Sequence, residues 1–115
     1  WFHRPDGRLF LLAGLYETWQ PAAGERERTF TILTTRANGL MAPVHDRMPV
    51  ILPPSAWDTW LDREIDDLEL LGKLLVPAEP SIISMHPVST EVNNARNKGE
   101  QLIDPIELED EGETV

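Results

Sequence analysis

The chain has 115 residues, 41% of them hydrophobic, and a formal charge of −10. That length supports one domain with a modest core, and no apolar run approaches the roughly 20 residues that span a bilayer. The complete lack of cysteine excludes disulfides, thiolate metal sites and a cysteine nucleophile from these residues.

An acidic balance argues against nucleic acid as a partner, because phosphate needs a cationic surface. The distribution qualifies that argument. Six of the 20 acids fall in the last twelve residues, and five more lie between Asp62 and Glu69. Without the tail, 14 acids stand against 10 cations, among them Arg36, Arg47, Arg96 and Lys98. Composition thus neither supports nor excludes a local basic groove. The opening Trp1-Phe-His-Arg4 has no basic region followed by an apolar one, so it does not read as a signal peptide. It reads as a cut inside a larger, cytoplasmic protein.

In chain order, Pro5-Asp6-Gly7 between apolar runs predicts a turn: proline presets φ and glycine accepts the positive φ that closes it. The flanking arms, Trp1–Arg4 and Arg8–Tyr16, are expected to form a β-hairpin, with Gly14 marking a bulge or a close backbone approach. A polar loop follows from Gln20 to Glu27, then a β-branched strand from Arg28 to Thr35. Asn38 is suited to cap a short turn through Leu40 and Met41. Met48–Leu52 reads as a short strand. Ser55, with Asp58 three residues on, predicts the start of a helix that places Trp57, Trp60 and Leu61 on one buried face. Asp66-Asp67 caps a second helix, Leu68 to Leu75. Ser81–Ser89 reads as an edge strand interrupted at Pro87. Val92–Gly99 is a polar loop, and Leu102-Ile103 is a last apolar anchor. The expected fold class is α+β, with mostly antiparallel strands and short peripheral helices. The expected domain spans residues 1–105, with an acidic, disordered tail over 106–115.

His45-Asp46-Arg47 puts an imidazole, a carboxylate and a guanidinium in three successive positions, stiffened by Pro43 and Pro49. A histidine titrates near neutrality, so His45 is a candidate general acid/base. Neighbours in an extended segment point to opposite sides, so Asp46 need not touch it. Arg47 is suited to an anion or to a surface ion pair. Asn93, Asn94, Arg96 and Asn97 could read phosphates or bases, or satisfy a turn's own backbone. His3 and His86 are expected to be structural. The three histidines lack metal-site spacing, so neither metal nor cofactor is expected.

In their order and spacing, several segments together resemble the SRAP family (SOS response-associated peptidase), proteins that shield abasic sites in single-stranded DNA. They are Arg4-Pro-Asp-Gly with Ala13-Gly-Leu-Tyr-Glu17, Phe30-Thr-Ile-Leu-Thr-Thr35, His45-Asp-Arg-Met-Pro49 with Val50-Ile-Leu-Pro53, and His86-Pro-Val-Ser89 with Val92-Asn-Asn-Ala-Arg-Asn97. The resemblance covers Trp1 to about Pro105 and corresponds to the C-terminal half of the family's domain.

The resemblance implies a β-barrel-like core and a specific chemistry. Family members attack the ring-opened aldehyde of an abasic site with an N-terminal cysteine, and thiol and α-amine close a thiazolidine crosslink. On this footing His45 is the acid/base, Arg47 contacts DNA phosphate and Thr34 lies near the active site. Asn93, Asn94 and Arg96 help shape the groove. The family's cysteine, its Asn-Ala-Arg-x-Glu-Thr loop and its Phe/Tyr-Glu-Trp motif are absent here. Glu17, in Leu-Tyr-Glu-Thr-Trp, imitates that last motif in a different context and is not assigned catalysis. The implied partners are single-stranded DNA with abasic sites and the missing N-terminal half, on the same or a second chain. Membrane partners are not expected, and the expected location is cytoplasmic and nucleoid-associated. Enzymatic activity of this chain alone stays open, and no nucleophile for general peptidase chemistry is present. The alternative is a non-catalytic scaffold whose acidic tail recruits a partner or competes with DNA.

Overall fold

The structure, a computed structural model, describes residues 1–108. Residues 109–115 of the expected acidic tail lie outside the described residues. The strands are β1 (Phe2–His3), β2 (Gly14–Trp19), β3 (Glu27–Ile32), β4 (Thr34–Arg36), β5 (Arg47–Pro49) and β6 (Ser84–Met85). The helices are α1 (Pro54–Leu61) and α2 (Leu68–Gly72), and short 3-10 turns occupy Pro80–Ile82, Thr90–Asn93 and Glu100–Ile103. The α+β class holds: small antiparallel ladders with a few short helices.

Three chain segments meet at one point. Ala13 N donates to Val50 O at 2.8 Å, Val50 N to Leu33 O at 2.9 Å, and Leu33 N to Ala13 O at 2.9 Å. Each of these residues donates to one partner and accepts from the other, so every backbone group at the buried junction is paired. From it three antiparallel ladders run outward. The segments after Ala13 and before Leu33 form β2–β3. Those after Leu33 and before Val50 form β4–β5. Those before Ala13 and after Val50 meet through the Leu12–Ile51 bridge and the bond from Leu52 N to Leu11 O. Among the described residues these ladders do not close into a barrel.

The core lies around the junction. Ala13 and Val50 are fully buried and pack with Leu52, Ala56, Trp57 and Trp60. Met48 and Ile51 head a second cluster with Met41, Ala78 and Ile83. The period-2 alternation of a strand sends Val50 to one cluster and Ile51 to the other. Helix α1 is fastened by its indoles: Trp57 Nε1 donates to Leu52 O at 2.8 Å and Trp60 Nε1 to Gly14 O at 3.3 Å. Both tryptophans pack half-buried against the core, on the side expected, whereas Leu61 is exposed. The helix begins with Pro54 after Pro53, with no side-chain cap, so Ser55 is not its N-cap. Proline needs no N–H partner there and is already at helical φ. Asp67 caps α2 as expected, accepting from Glu69 N and Leu70 N.

The Pro5-Asp6-Gly7 turn forms, with Gly7 at φ 75° and its N–H on Arg4 O at 3.0 Å. The expected hairpin does not form. Strand β1 pairs instead with β6, Phe2 opposite Met85 and His3 opposite Ser84. A turn fixes only local direction, and the second arm is already claimed by the junction. The Ser81–Ser89 strand shrinks accordingly to the two residues of β6. Asp6 Oδ1 accepts from Arg8 N at 3.0 Å, which with the Arg4 guanidinium holds its carboxyl below the ordinary range. Gly14 answers to close approach: a Cβ there would stand 3.2 Å from Thr31 O.

Hairpin β2–β3 has no buried residue. Tyr16, Phe30 and Ile32 lie on one face, Leu15 and Trp19 on the other, following strand alternation from the register. Phe30 is 79% exposed, Tyr16 62% and Trp19 58%. Among the described residues no helix is long and apolar enough to cross a membrane.

Candidate active site

The segment between β4 and β5 is shaped by Asn38, which is buried. Its Oδ1 accepts from Met41 N at 3.0 Å, as expected of a cap, and its Nδ2 donates to Ala78 O at 2.9 Å. The turn continues through Met41 O, which accepts from Val44 N at 2.8 Å and His45 N at 2.9 Å. His45 thus leaves a braced turn and enters β5 two residues later.

His45 and Arg47 supply the polar groups of an otherwise apolar open hollow of ≈440 Å³, whose walls include Phe2, Phe10, Leu12, Met41 and Ile51. Phe10 and Leu12 alternate along the second arm and so share this wall. Sequence reasoning missed both, although that i, i+2 spacing was the available signal.

The His45 ring is held through Nδ1. Arg47 N donates to it at 3.2 Å, and Asp46 Oδ1 stands 3.3 Å away. Accepting from Arg47 N uses the Nδ1 lone pair, which puts the proton of the neutral ring on Nε2. If Nδ1 is protonated instead, Asp46 becomes its ion-pair partner. Of the two arrangements the sequence left open, Asp46 takes the one that reaches His45, because residues 45 and 46 precede the regular strand. Nε2 makes no hydrogen bond among the described residues.

Arg47 Nη2 donates to both the carbonyl and the hydroxyl of Thr34, each at 3.0 Å. Thr34, His45 and Arg47 are thus brought together. Asn93, Asn94 and Arg96 are not part of this group. Asn94 Oδ1 accepts from Arg96 N at 3.0 Å, so that side chain serves the turn's own backbone. None of the three lines the hollow. His3 and His86 stack obliquely at 5.2 Å and engage the carbonyls of Arg4 and Ile103, a structural use of both rings.

The chain is similar to known proteins over most of its length. The profile of the SOS response associated peptidase (SRAP) family matches residues 1–95. "Abasic site processing protein YoqW" of Bacillus subtilis (strain 168) is 41% identical over 99 residues, covering 86% of this chain and 44% of that protein. "Abasic site processing protein HMCES" of Gallus gallus is 42% identical over 104 residues, covering 88% and 30%. A crystal structure of a Bacteroides thetaiotaomicron protein superposes with a TM-score of 0.78 at 24% identity, over 91% of this chain and 47% of that one. The chain therefore spans less than half the length of these relatives. By its sequence, the chain belongs to the SOS response associated peptidase (SRAP) family.

Proposed function

We propose that this chain supplies the acid/base histidine and part of the strand-binding groove of a protein that processes abasic sites in single-stranded DNA by crosslinking to them. One observation carries the reading: His45 and Arg47, the latter held by Thr34, line a single hollow in a chain 41% identical to a named abasic site processing protein.

A ring-opened abasic sugar presents an aldehyde between two phosphates. Arg47, oriented by Thr34, grips phosphate through its remaining N–H donors. In the crosslinking chemistry that the family resemblance implies, an N-terminal α-amine condenses with the aldehyde, water leaves, and the cysteine thiol adds to the imine to close the thiazolidine. Each step moves a proton. His45, with Nδ1 anchored and Nε2 unpartnered among the described residues, is placed to give and take it. Asn93, Asn94 and Arg96 extend the groove for the strand. The peptidase of the family name is confined to release of the protein's own initiator methionine, and the protein works in the cytoplasm beside the nucleoid.

The cysteine, and the glutamate of the family's Phe/Tyr-Glu-Trp motif that the resemblance implies to be catalytic, come from a segment outside these 115 residues, on the same or a second polypeptide. Two observations support this. The chain covers 44% of YoqW. The β2–β3 hairpin leaves apolar side chains uncovered on both faces, and patches of that kind mark contact surfaces. Added strands from that segment would complete the barrel-like core.

The test joins this chain to the part of YoqW that precedes the matched region and offers the product an oligonucleotide with one abasic site. An adduct that survives boiling on a denaturing gel is the expected result. Binding with no adduct overturns the crosslinking reading.

A further inference from the structure

The β4–β5 register sets Arg36 directly opposite Arg47. One step along, Ala37 N donates to Asp46 O at 3.0 Å, so residues 37 and 46 form a hydrogen-bonded pair. Pairs alternate along an antiparallel ladder, so Arg36 and Arg47 form the non-hydrogen-bonded kind, in which side chains come closest. Like charges directly opposite are destabilising. Nothing on this face relieves the repulsion: Thr34 and Pro49, the next pair on it, are neutral, and both arginines are exposed. The nearest carboxylate in sequence, Asp46, lies 3.3 Å from His45 Nδ1. Among the described residues neither arginine forms an ion pair, and the Arg36 side chain makes no hydrogen bond. Arg47 is already fixed to Thr34, so one guanidinium is pre-positioned and the other free to close on a ligand.

We propose that Arg36 and Arg47 form a two-guanidinium clamp for one phosphate group, and that Arg36 thereby sets where a single strand crosses the hollow beside His45. An anion between the two turns the repulsion into two charge-assisted contacts. This rests on the DNA-processing reading for the source of the phosphate, a phosphodiester of the strand rather than a free anion.

The experiment titrates a labelled oligothymidylate carrying one abasic site into the protein across a KCl series. It compares the wild type with Arg36→Gln, Arg36→Lys and Arg47→Gln, and melts each with and without inorganic phosphate. Arg36→Gln is expected to weaken binding about tenfold at low salt and to lower the slope of log K against log salt by about 0.7, one single-strand phosphate contact. Arg36→Lys keeps most of the slope, whereas in Arg36→Gln the Tm without ligand stays level or rises as the repulsion goes. An unchanged slope in Arg36→Gln overturns the clamp. If the wild type binds no oligonucleotide, the DNA reading fails and the phosphate melts decide. A phosphate-dependent rise in Tm that Arg36→Gln abolishes upholds a small-anion clamp, and no rise in the wild type overturns it.

Discussion

Arg47 reaches across from the start of β5 to Thr34 at the start of β4, donating from one nitrogen to both its carbonyl and its hydroxyl at 3.0 Å. The hydroxyl bond is the part a mutation can remove without touching the backbone. Thr34→Val is expected to leave the fold intact and weaken single-stranded DNA binding by about 1 kcal/mol, the worth of one such bond. Because Arg47 itself remains, the salt slope of binding stays at the wild-type value. Anisotropy titrations at several salt concentrations check both numbers.

The site stands on Met48, which is 1% exposed and accepts from Asn38 N at 3.3 Å through its sulfur. Met48→Ala is expected to cost about 2–5 kcal/mol, as large-to-small core changes do. Met48→Leu, similar in volume, costs less than about 1.5 kcal/mol. Urea unfolding of the two variants separates a packing role from a more specific one.

Asp6 gives the chain an acid-sensitive turn. Its carboxyl is held below its ordinary value of 3.8 by the Arg8 backbone N–H and then by Arg4. A depressed folded pKa means the stabilisation is present above that ordinary value and is lost as pH falls through the lower folded one. The Arg8 amide is therefore expected to lose protection from hydrogen exchange below about pH 3.8 in the wild type. Asp6→Asn should show no such acid step.

Local chemistry was legible in the sequence where one residue decides the outcome. Gly7 closes the turn, Asn38 caps the segment ahead of His45, Asp67 caps α2, and Trp57 and Trp60 bury against the sheet. Order and spacing of the motifs, rather than any single one, pointed to the family. What could not be read was long-range pairing. Phe2–His3 carries no mark that selects Ser84–Met85 over the arm just across the turn. The three-way junction at Ala13, Leu33 and Val50 is made of backbone groups, which every residue carries. The same blindness hid the Arg36–Arg47 pairing, since register follows from where the junction starts the ladder. Whether Asp46 touches His45 was left open for a local reason: a bend before β5, not regular strand, brings its carboxylate there.

The uncovered hairpin makes a separate prediction. Tyr16 and Phe30 face each other across β2–β3 and are exposed. Replacing both with serine is expected to change the stability of this chain by no more than about 0.5 kcal/mol each, as for other surface sites. The same double variant should lose association with a polypeptide carrying the preceding half of YoqW. Thermal melts and analytical ultracentrifugation supply the two readouts.

The central claim is that His45 performs the proton transfers, and the most direct measurement is a single-turnover rate of crosslinking. The protein joined to the preceding half of YoqW is mixed with abasic single-stranded DNA at neutral pH, as wild type and as His45→Ala. The His45 side chain is 68% exposed, so the variant should melt with the wild type. Its crosslinking rate is expected to fall by about 10²–10⁴, the usual contribution of a general acid/base. A His45→Ala variant that crosslinks as fast as the wild type would contradict the account.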